Sequence, residues 1–346
     1  MEIESYSQFN LQVFQSICNL HNELCREIPL FQEWTVELNF NDFINDSAFN
    51  QKNHWRAFLL YENKSLVACA IVFKRKDSEF DFASIGYFEA LEKANLTELF
   101  KNCEQYGREL GASELRGPIQ GSIFNSYKFK LDSKIYMGGD PTHPRYYPKL
   151  WEIYGYKLCG RWSNIEPSRL SYFLQLILSF IRHSFFSPIY VRKYNPHSPE
   201  QELKNVYRIV MDSYSQMHSF EEVSFEEFKN WNSSLLKILN DWNCLFAVLD
   251  SVEVGFNINI PLPYIDQDLA GKRLLLAYIG KIKNLGKRGR GIGDSVTRFQ
   301  VLNGLLPIIK PVPIVTGVHE NSPIRKWLVR FGMKELTQYG LYSKEL

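Results

Sequence analysis

Charge of one sign is what this 346-residue sequence lacks most plainly: 40 basic side chains face 38 acidic ones, a formal net charge of +2. A surface that neutralises many nucleic-acid phosphates needs a basic excess, so nucleic acid is not expected as a partner. The six cysteines (Cys18, Cys25, Cys69, Cys103, Cys159, Cys244) are scattered, and none forms a Cys-x-x-Cys pair. That pattern argues against a disulfide framework and against a zinc site. No metal is expected, and free thiols in a reducing cytoplasm are. Met1 to Asn10 has no basic region followed by an apolar run, so no secretory signal is expected. The one membrane-like stretch, Leu170 to Ile181 between Arg169 and Arg182, is shorter than the roughly 20 residues that span a bilayer. It reads as a helix packed on a domain, with membrane-surface attachment as the alternative. There is no His-Glu-x-x-His pair and no serine, histidine and aspartate spacing of a hydrolytic triad.

What is present is core material: 45% apolar and 15% aromatic residues, in a chain long enough for two domains. A repeat organises it. Trp55 to Phe73 reads as a strand, a polar turn at Glu62-Asn63-Lys64 and a second strand entered through Ala68. Trp242 to Ile260 repeats the scheme with a turn at Asp250-Ser251 and Gly255 in the small-residue position. A third apolar strand follows each hairpin, Ala83 to Leu91 and Leu274 to Ile282, and a helix follows each strand. The first helix starts near Asn95, with Glu98 completing a capping box, and stops at Gly111. The second carries Ile292, Val296 and Phe299 on one face and stops at Gly304. Both halves close alike, Trp151 to Lys157 with Gly155 matching Trp327 to Lys334 with Gly332. Two copies of one domain are expected, roughly 1–165 and 188–346, with a linker helix in 166–187.

The sharpest chemical signal is Gly286-Lys-Arg-Gly-Arg-Gly-Ile-Gly-Asp294, four glycines and three basic side chains after a strand and before a helix. Glycine lets the backbone turn tightly and approach a ligand, and the N-H groups of the helix start carry partial positive charge, which makes an anion cradle. Asp294 stands where a Walker A loop needs Lys and Ser/Thr, and also where a dinucleotide fingerprint needs its last glycine. Arg288-x-x-Gly291-x-Gly293 instead resembles the pyrophosphate-binding signature of the GNAT superfamily of acyl-CoA acyltransferases. The run from Val318 through Asn321 to Gly332 resembles the closing strand and helix of that family. In the first half, Leu115 to Phe129 and Gly139 to Tyr147 look like a bacterial group of tandem GNAT-like proteins.

The resemblance implies an α+β (mixed α/β) fold: two tandem GNAT-like domains, each a mixed, mostly antiparallel central sheet flanked by helices. It implies an acyl-CoA dependent N-acyltransferase, in first place an acetyltransferase, in which a neutral amine of a small molecule or amino acid derivative attacks the thioester of acetyl-CoA or another acyl-CoA. The pyrophosphate would rest on Ile282, Lys283, Lys287, Arg288, Gly289, Arg290, Gly291, Ile292 and Gly293, with Asn321 beside them. Leu328 occupies the place where many family members carry a tyrosine acid, so Tyr278 and Tyr342 are the candidate substitutes, with packing as the alternative, and Glu320 is the candidate base, with a solvated strand end as the alternative. The first half has Leu91 to Thr97 in place of the loop, without glycine, and its helix is expected to be capped by Asn95; it should not bind CoA. If that half lines the cleft, Arg116, Asn125, Tyr127 and Asp140 would meet the substrate, with turn chemistry at strand ends as the alternative. A cytoplasmic monomer or homodimer without a membrane span is expected. A catalytically inactive CoA-binding regulator and a Fem-type aminoacyltransferase are the competing readings.

Overall fold

The expected hairpins form around two-residue turns in which both residues adopt left-handed backbone. Asn63 and Lys64 have φ of 49° and 66°, and Asp250 and Ser251 have φ of 50° and 63°. These are the primed turns whose twist suits an antiparallel pair. Three residues past each turn one residue is extra in the ladder: the partners jump from Ala68 to Leu66 in the first hairpin and from Gly255 to Glu253 in the second. Val67 and Val254 are thus matched bulges, which strengthens the repeat beyond what residue types show.

The computed structural model describes residues 1–44, 46–132, 135–186, 188–265, 270–289, 291–303, 312–322, 325 and 332–346, apart from the side chains of 175, 182–186, 264, 270 and 272–278. Internal contacts divide the chain into unit 1, Met1–Arg161 with Tyr339–Leu346, and unit 2, Trp162–Gln338.

Unit 1 opens with β1 (Glu2–Tyr6), α1 (Leu11–Cys25), the short helices α2 (Val36–Asn39) and α3 (Ala48–Lys52), and strands β2 (Asn53–Glu62), β3 (Ser65–Arg75) and β4 (Phe82–Ala90). After them come α4 (Thr97–Glu109), β5 (Glu114–Gly117), the two-residue strands β6 (Ile119–Gln120), β7 (Ser126–Tyr127), β8 (Phe129–Lys130) and β9 (Tyr136–Met137), then α5 (Tyr147–Ile153) and β10 (Lys157–Glu166). The first four strands pair antiparallel in sequence order, and β5 joins β4 parallel. Trp151 is fully buried among Phe88, Phe100, Phe129, Tyr156 and Tyr342, an aromatic centre to which α4 adds Leu99 and Cys103. Gly155, at φ 88°, ends α5 in the conformation that glycine adopts without strain.

Unit 2 contains α6 (Arg169–Phe186), β11 (Tyr190–Lys193), α7 (Pro199–Tyr214), α8 (Phe225–Trp231), α9 (Ser233–Leu236), β12 (Cys244–Leu249), β13 (Val252–Ile265), β14 (Ala270–Lys281), α10 (Ile292–Leu302), β15 (Ile314–His319) and the start of β16 (Lys334–Glu345). Strands β11 to β14 pair antiparallel in order, β15 joins β14 parallel, and the Trp162–Ile165 part of β10 pairs antiparallel with β15. Each unit therefore has the same mixed, mostly antiparallel sheet with helices on it. The apolar run in α6 buries Tyr172 and Leu176 beside Val312 and Val301, and Arg298 of α10 stacks over Phe180. Among the described residues no helix is long and apolar enough to cross a membrane. None of the six cysteines is in a disulfide, and five of them are buried.

The expected boundary near 165 and the expected span 188–346 differ from these units at both ends. The linker helix groups with unit 2, and the chain's last strand leaves unit 2 to finish unit 1. Strand β5 shows why. It has one parallel neighbour, and its other edge is satisfied by Tyr342 to Glu345 of β16, in register with Gly117 to Glu114.

Candidate acyl-CoA site

In unit 2 the register of β14 changes where the loop region begins. Ile258 faces Tyr278 but Asn259 faces Leu276, so Ala277 is an extra residue on β14. The parallel ladder with β15, Leu275 to Ile314 and Leu276 to Val315, stops at this bulge, and β15 continues on the other side against β10 through Val318 and His319. Beyond the bulge, the Ile279 carbonyl accepts a hydrogen bond from the Tyr214 hydroxyl at 2.9 Å.

The glycine-rich segment follows. Ile282 N-H donates to Val254 O at 2.8 Å, the last bond of the β13–β14 pair. Lys283 is fixed twice at the end of α7: its N-H donates to Asp212 Oδ2 at 2.5 Å and its ammonium to Ser215 Oγ at 2.8 Å. Gly286–Gly289 make a single 3-10 turn. Gly291, at φ 84°, is the N-cap of α10, and it supplies no side-chain cap. A Cβ on Gly293 would meet nothing within 4 Å. Ile292 anchors the helix start by packing with Val254, Val296 and Leu249. Gly255 makes room for it, since a Cβ there would come within 2.9 Å of Ile292. A helix start that is held from below and lacks a capping side chain is what an anionic group needs.

The basic residues are unequally available. Lys287 is exposed in the 3-10 turn, Arg288 pairs with exposed Asp250, and Gly289 packs on Leu285. Arg290 lies outside the described residues, as do Leu328 and the side chain of Tyr278, whose backbone is paired on β14. Glu320 and Asn321 sit in the turn after β15; Glu320 is partly buried, and exposed Asn321 donates its N-H to His319 Nδ1 at 3.2 Å.

Unit 1 handles the same junction differently. Its β4 also carries a bulge, between Gly86 and Glu89, with Tyr87 at φ 49°. Past the parallel pairs Phe82 to Glu114 and Ser84 to Arg116, the strands stay together through two glycines. A Cβ on Gly86 would overlap the Ile119 carbonyl, and one on Gly117 would overlap that of Ile85. Further along, the Tyr147 hydroxyl accepts from Ala90 N-H at 2.9 Å and the Tyr146 hydroxyl donates to Ala90 O at 2.7 Å. The start of α4 is occupied too: Leu96 N-H donates to the Tyr154 hydroxyl at 2.8 Å, and Thr97 N-H donates to Asn95 Oδ1 at 3.1 Å. Asn95 thus caps from one position before the N-cap, Leu96.

Several expected site residues have other work. Tyr342, expected as a proton donor for the second half, is a core residue of unit 1 bonded to Glu152 at 3.2 Å. Burial, then Glu152, pushes its hydroxyl well above the usual tyrosine range, so it is a poor acid. Arg116, expected to receive a carboxylate, already grips Glu114 at 2.6 Å and stacks on Phe82. Asp140 accepts from Lys130 Nζ at 2.5 Å, Met137 N-H at 3.0 Å and the Tyr339 hydroxyl at 2.5 Å, which makes it a structural hub. Exposed Asn125 donates to Gln120 O at 3.0 Å within the β6–β7 hairpin. Tyr127 lies beneath the Lys128 ammonium at 4.2 Å, and burial lowers that lysine to about 7. These residues belong to unit 1, and the bonds given above are within unit 1. The sequence singled out the Gly139 to Tyr147 stretch, but nothing in it announced that Tyr146 and Tyr147 would take the backbone of Ala90.

No family model and no curated protein matches this chain. Solved structures do. A tandem GNAT protein from the clavulanic acid biosynthesis pathway aligns with a TM-score of 0.51 at 8% identity, over 99% of this chain and 98% of that one. A probable N-acyltransferase of Enterococcus faecalis V583 aligns with a TM-score of 0.55 at 8% identity, over 100% and 73%. A GCN5-related N-acetyltransferase of Anabaena variabilis ATCC 29413 aligns with a TM-score of 0.54 at 9% identity, over 99% and 73%. At such identities the likeness speaks for the fold: the chain folds as a tandem GNAT protein.

Proposed function

We propose that unit 2 binds an acyl-CoA, acetyl-CoA in first place, and transfers its acyl group to the amine of a small molecule or amino acid derivative. The observation that carries this reading is the start of α10. A left-handed glycine without a capping side chain follows β14, the strand whose ladder with β15 ends at a bulge. The loop N-H groups and Lys287 would hold the pyrophosphate, and the parted strands would take the pantetheine arm. Glu320, at the end of β15, is the base we assign to the incoming amine. Tyr278 remains the tyrosine candidate for protonating the departing thiolate, since Tyr342 is committed to a core. Unpaired, mostly buried thiols fit a cytoplasmic protein.

Thermal melting with and without acetyl-CoA tests the reading. Ligand at one hundred times its Kd adds about 2.7 kcal/mol of stability. An unchanged melting temperature with acetyl-CoA, CoA and longer acyl-CoA would remove it. A shift without thiol release over a panel of amines would leave a CoA-binding protein that does not catalyse.

A further inference from the structure

Unit 1 buries a mixed cluster of metal-ligating groups that the acyl-transfer reading does not use. The last turns of α1 set His21 and Cys25 four residues apart on its buried face, and β4 supplies Glu89. His21 Nδ1 lies 2.6 Å from Glu89 Oε1 and 3.8 Å from Cys25 Sγ. One donor atom from each residue falls within 4.8 Å of the others. Relative exposure is 0% for His21 and Cys25 and 2% for Glu89, so solvent does not satisfy them.

Without an ion the cluster is poorly balanced. His21 Nε2 is buried without a hydrogen-bond partner, and no lysine or arginine pairs with Glu89 among the described residues. A buried polar atom without a partner is costly in a dry interior. We propose that His21, Cys25 and Glu89 hold one zinc ion. A neutral imidazole, a thiolate and a carboxylate cancel its two charges and leave Nε2 a neutral group.

Two of the three donor separations are near what a tetrahedral ion requires, and the third, Cys25 Sγ to the Glu89 carboxylate, lies within 4.8 Å. Tetrahedral zinc separates a sulfur and a nitrogen ligand by about 3.6 Å and a nitrogen and an oxygen ligand by about 3.4 Å. The first separation is nearly met. The second needs the Nδ1–Oε1 contact to open by less than about 1 Å as zinc replaces the proton between them. Binding also releases the Cys25 proton, which burial and then Glu89 hold on the thiol in the absence of metal. The outer contacts of a metal site are in place. The Tyr147 hydroxyl donates to Glu89 Oε2 at 2.7 Å. Trp34 stacks on the His21 ring with centroids 3.7 Å apart, and its backbone is pinned to Asn22 by bonds of 2.8 and 3.0 Å. A thiolate, imidazole and carboxylate set selects zinc over harder cations. The cysteine spacing gave no hint of it, because the ligands come from a helix and a distant strand.

The test uses the full chain, purified without chelator or a metal-affinity step. Mass spectrometry of the metal content should give about one zinc per chain. After chelator treatment, cobalt(II) should produce a thiolate-to-cobalt absorption band that saturates at one equivalent. The band should vanish in Cys25→Ser and persist in Cys103→Ser, whose thiol is buried outside the cluster. Zinc-free wild-type protein that also yields no thiolate band with cobalt would overturn the proposal, whatever the variants do, and so would a band that survives in Cys25→Ser.

Discussion

Unit 1 and unit 2 share a strand order, a primed hairpin turn, a bulge three residues beyond it and a second bulge on the strand before the helix. They differ at that strand's end. Unit 1 closes the junction with Gly86, Gly117 and the hydroxyls of Tyr146, Tyr147 and Tyr154, while unit 2 leaves a glycine-led helix without a capping side chain. The difference teaches that two units can share a turn and both bulges while differing in what occupies the start of the equivalent helix. The changes are small: two oxygens take the Leu96 and Thr97 N-H groups at the α4 start, and close-fitting glycines keep β4 and β5 together.

Five experiments break or sharpen this contrast. Removing Tyr339–Leu346 should have the largest effect, because it strips the β5 edge and takes Leu341 and Tyr342 out of the core. Circular dichroism should show unit 1 melted; a chain that keeps a single cooperative transition at the wild-type temperature would mean that β16 is dispensable. Gly293→Glu puts a carboxylate in open space at the α10 start. Affinity for acetyl-CoA should fall roughly 100-fold by calorimetry, a loss of about 2.7 kcal/mol, with unliganded stability unchanged or slightly raised. Asn95→Ala, the counterpart at α4, should cost about 0.5–1 kcal/mol in denaturant unfolding and leave acetyl-CoA affinity untouched.

The fourth experiment separates the units by pH. Burial, with Lys130 nearby, lowers His143 to about 4. Its ring accepts from Lys130 N-H through Nε2 at 2.7 Å and donates from Nδ1 to Pro144 O at 2.9 Å. The unfolded ring, with a pKa near 6.5, binds a proton that the folded one refuses, so stability rises with pH in between. This contribution is full above about pH 6.5 and lost as pH falls toward 4. In His143→Gln the acid-side fall in melting temperature should flatten; an identical slope would assign it elsewhere. The smallest effect is expected from Asp250→Asn. It releases exposed Arg288, which should tighten acetyl-CoA binding a few-fold at most and change stability by less than about 0.5 kcal/mol.

Much of the scaffold was legible in the sequence. Alternation from Trp55 to Phe73 and from Trp242 to Ile260, broken by short polar turns, specifies hairpins because side chains alternate sides along a strand. The glycines from Gly286 to Gly293 marked the helix start because backbone conformation restricts residue type there. The destination of β16 was not legible. Leu336, Tyr339 and Leu341 report that they are buried, but an apolar pattern does not say in which sheet. Tyr342 was misread for that reason. The roles of Arg116 and Asp140 were hidden because both answer to partners, Glu114 and Lys130, that only register and turn geometry bring close. His21, Cys25 and Glu89 left no spacing signal at all.

The placement of β16 also bears on biosynthesis. Most of unit 1 emerges from the ribosome before unit 2, yet the strand that completes it is made after Gln338. At about 5–20 residues per second, the roughly 180 intervening residues take some 9–35 s to translate. For that interval β5 presents an open edge to any extended chain, including another copy on the same messenger. The nascent first half is therefore the natural client for a chaperone that shields strand edges, although it lies at the N-terminal end, where domains ordinarily fold first.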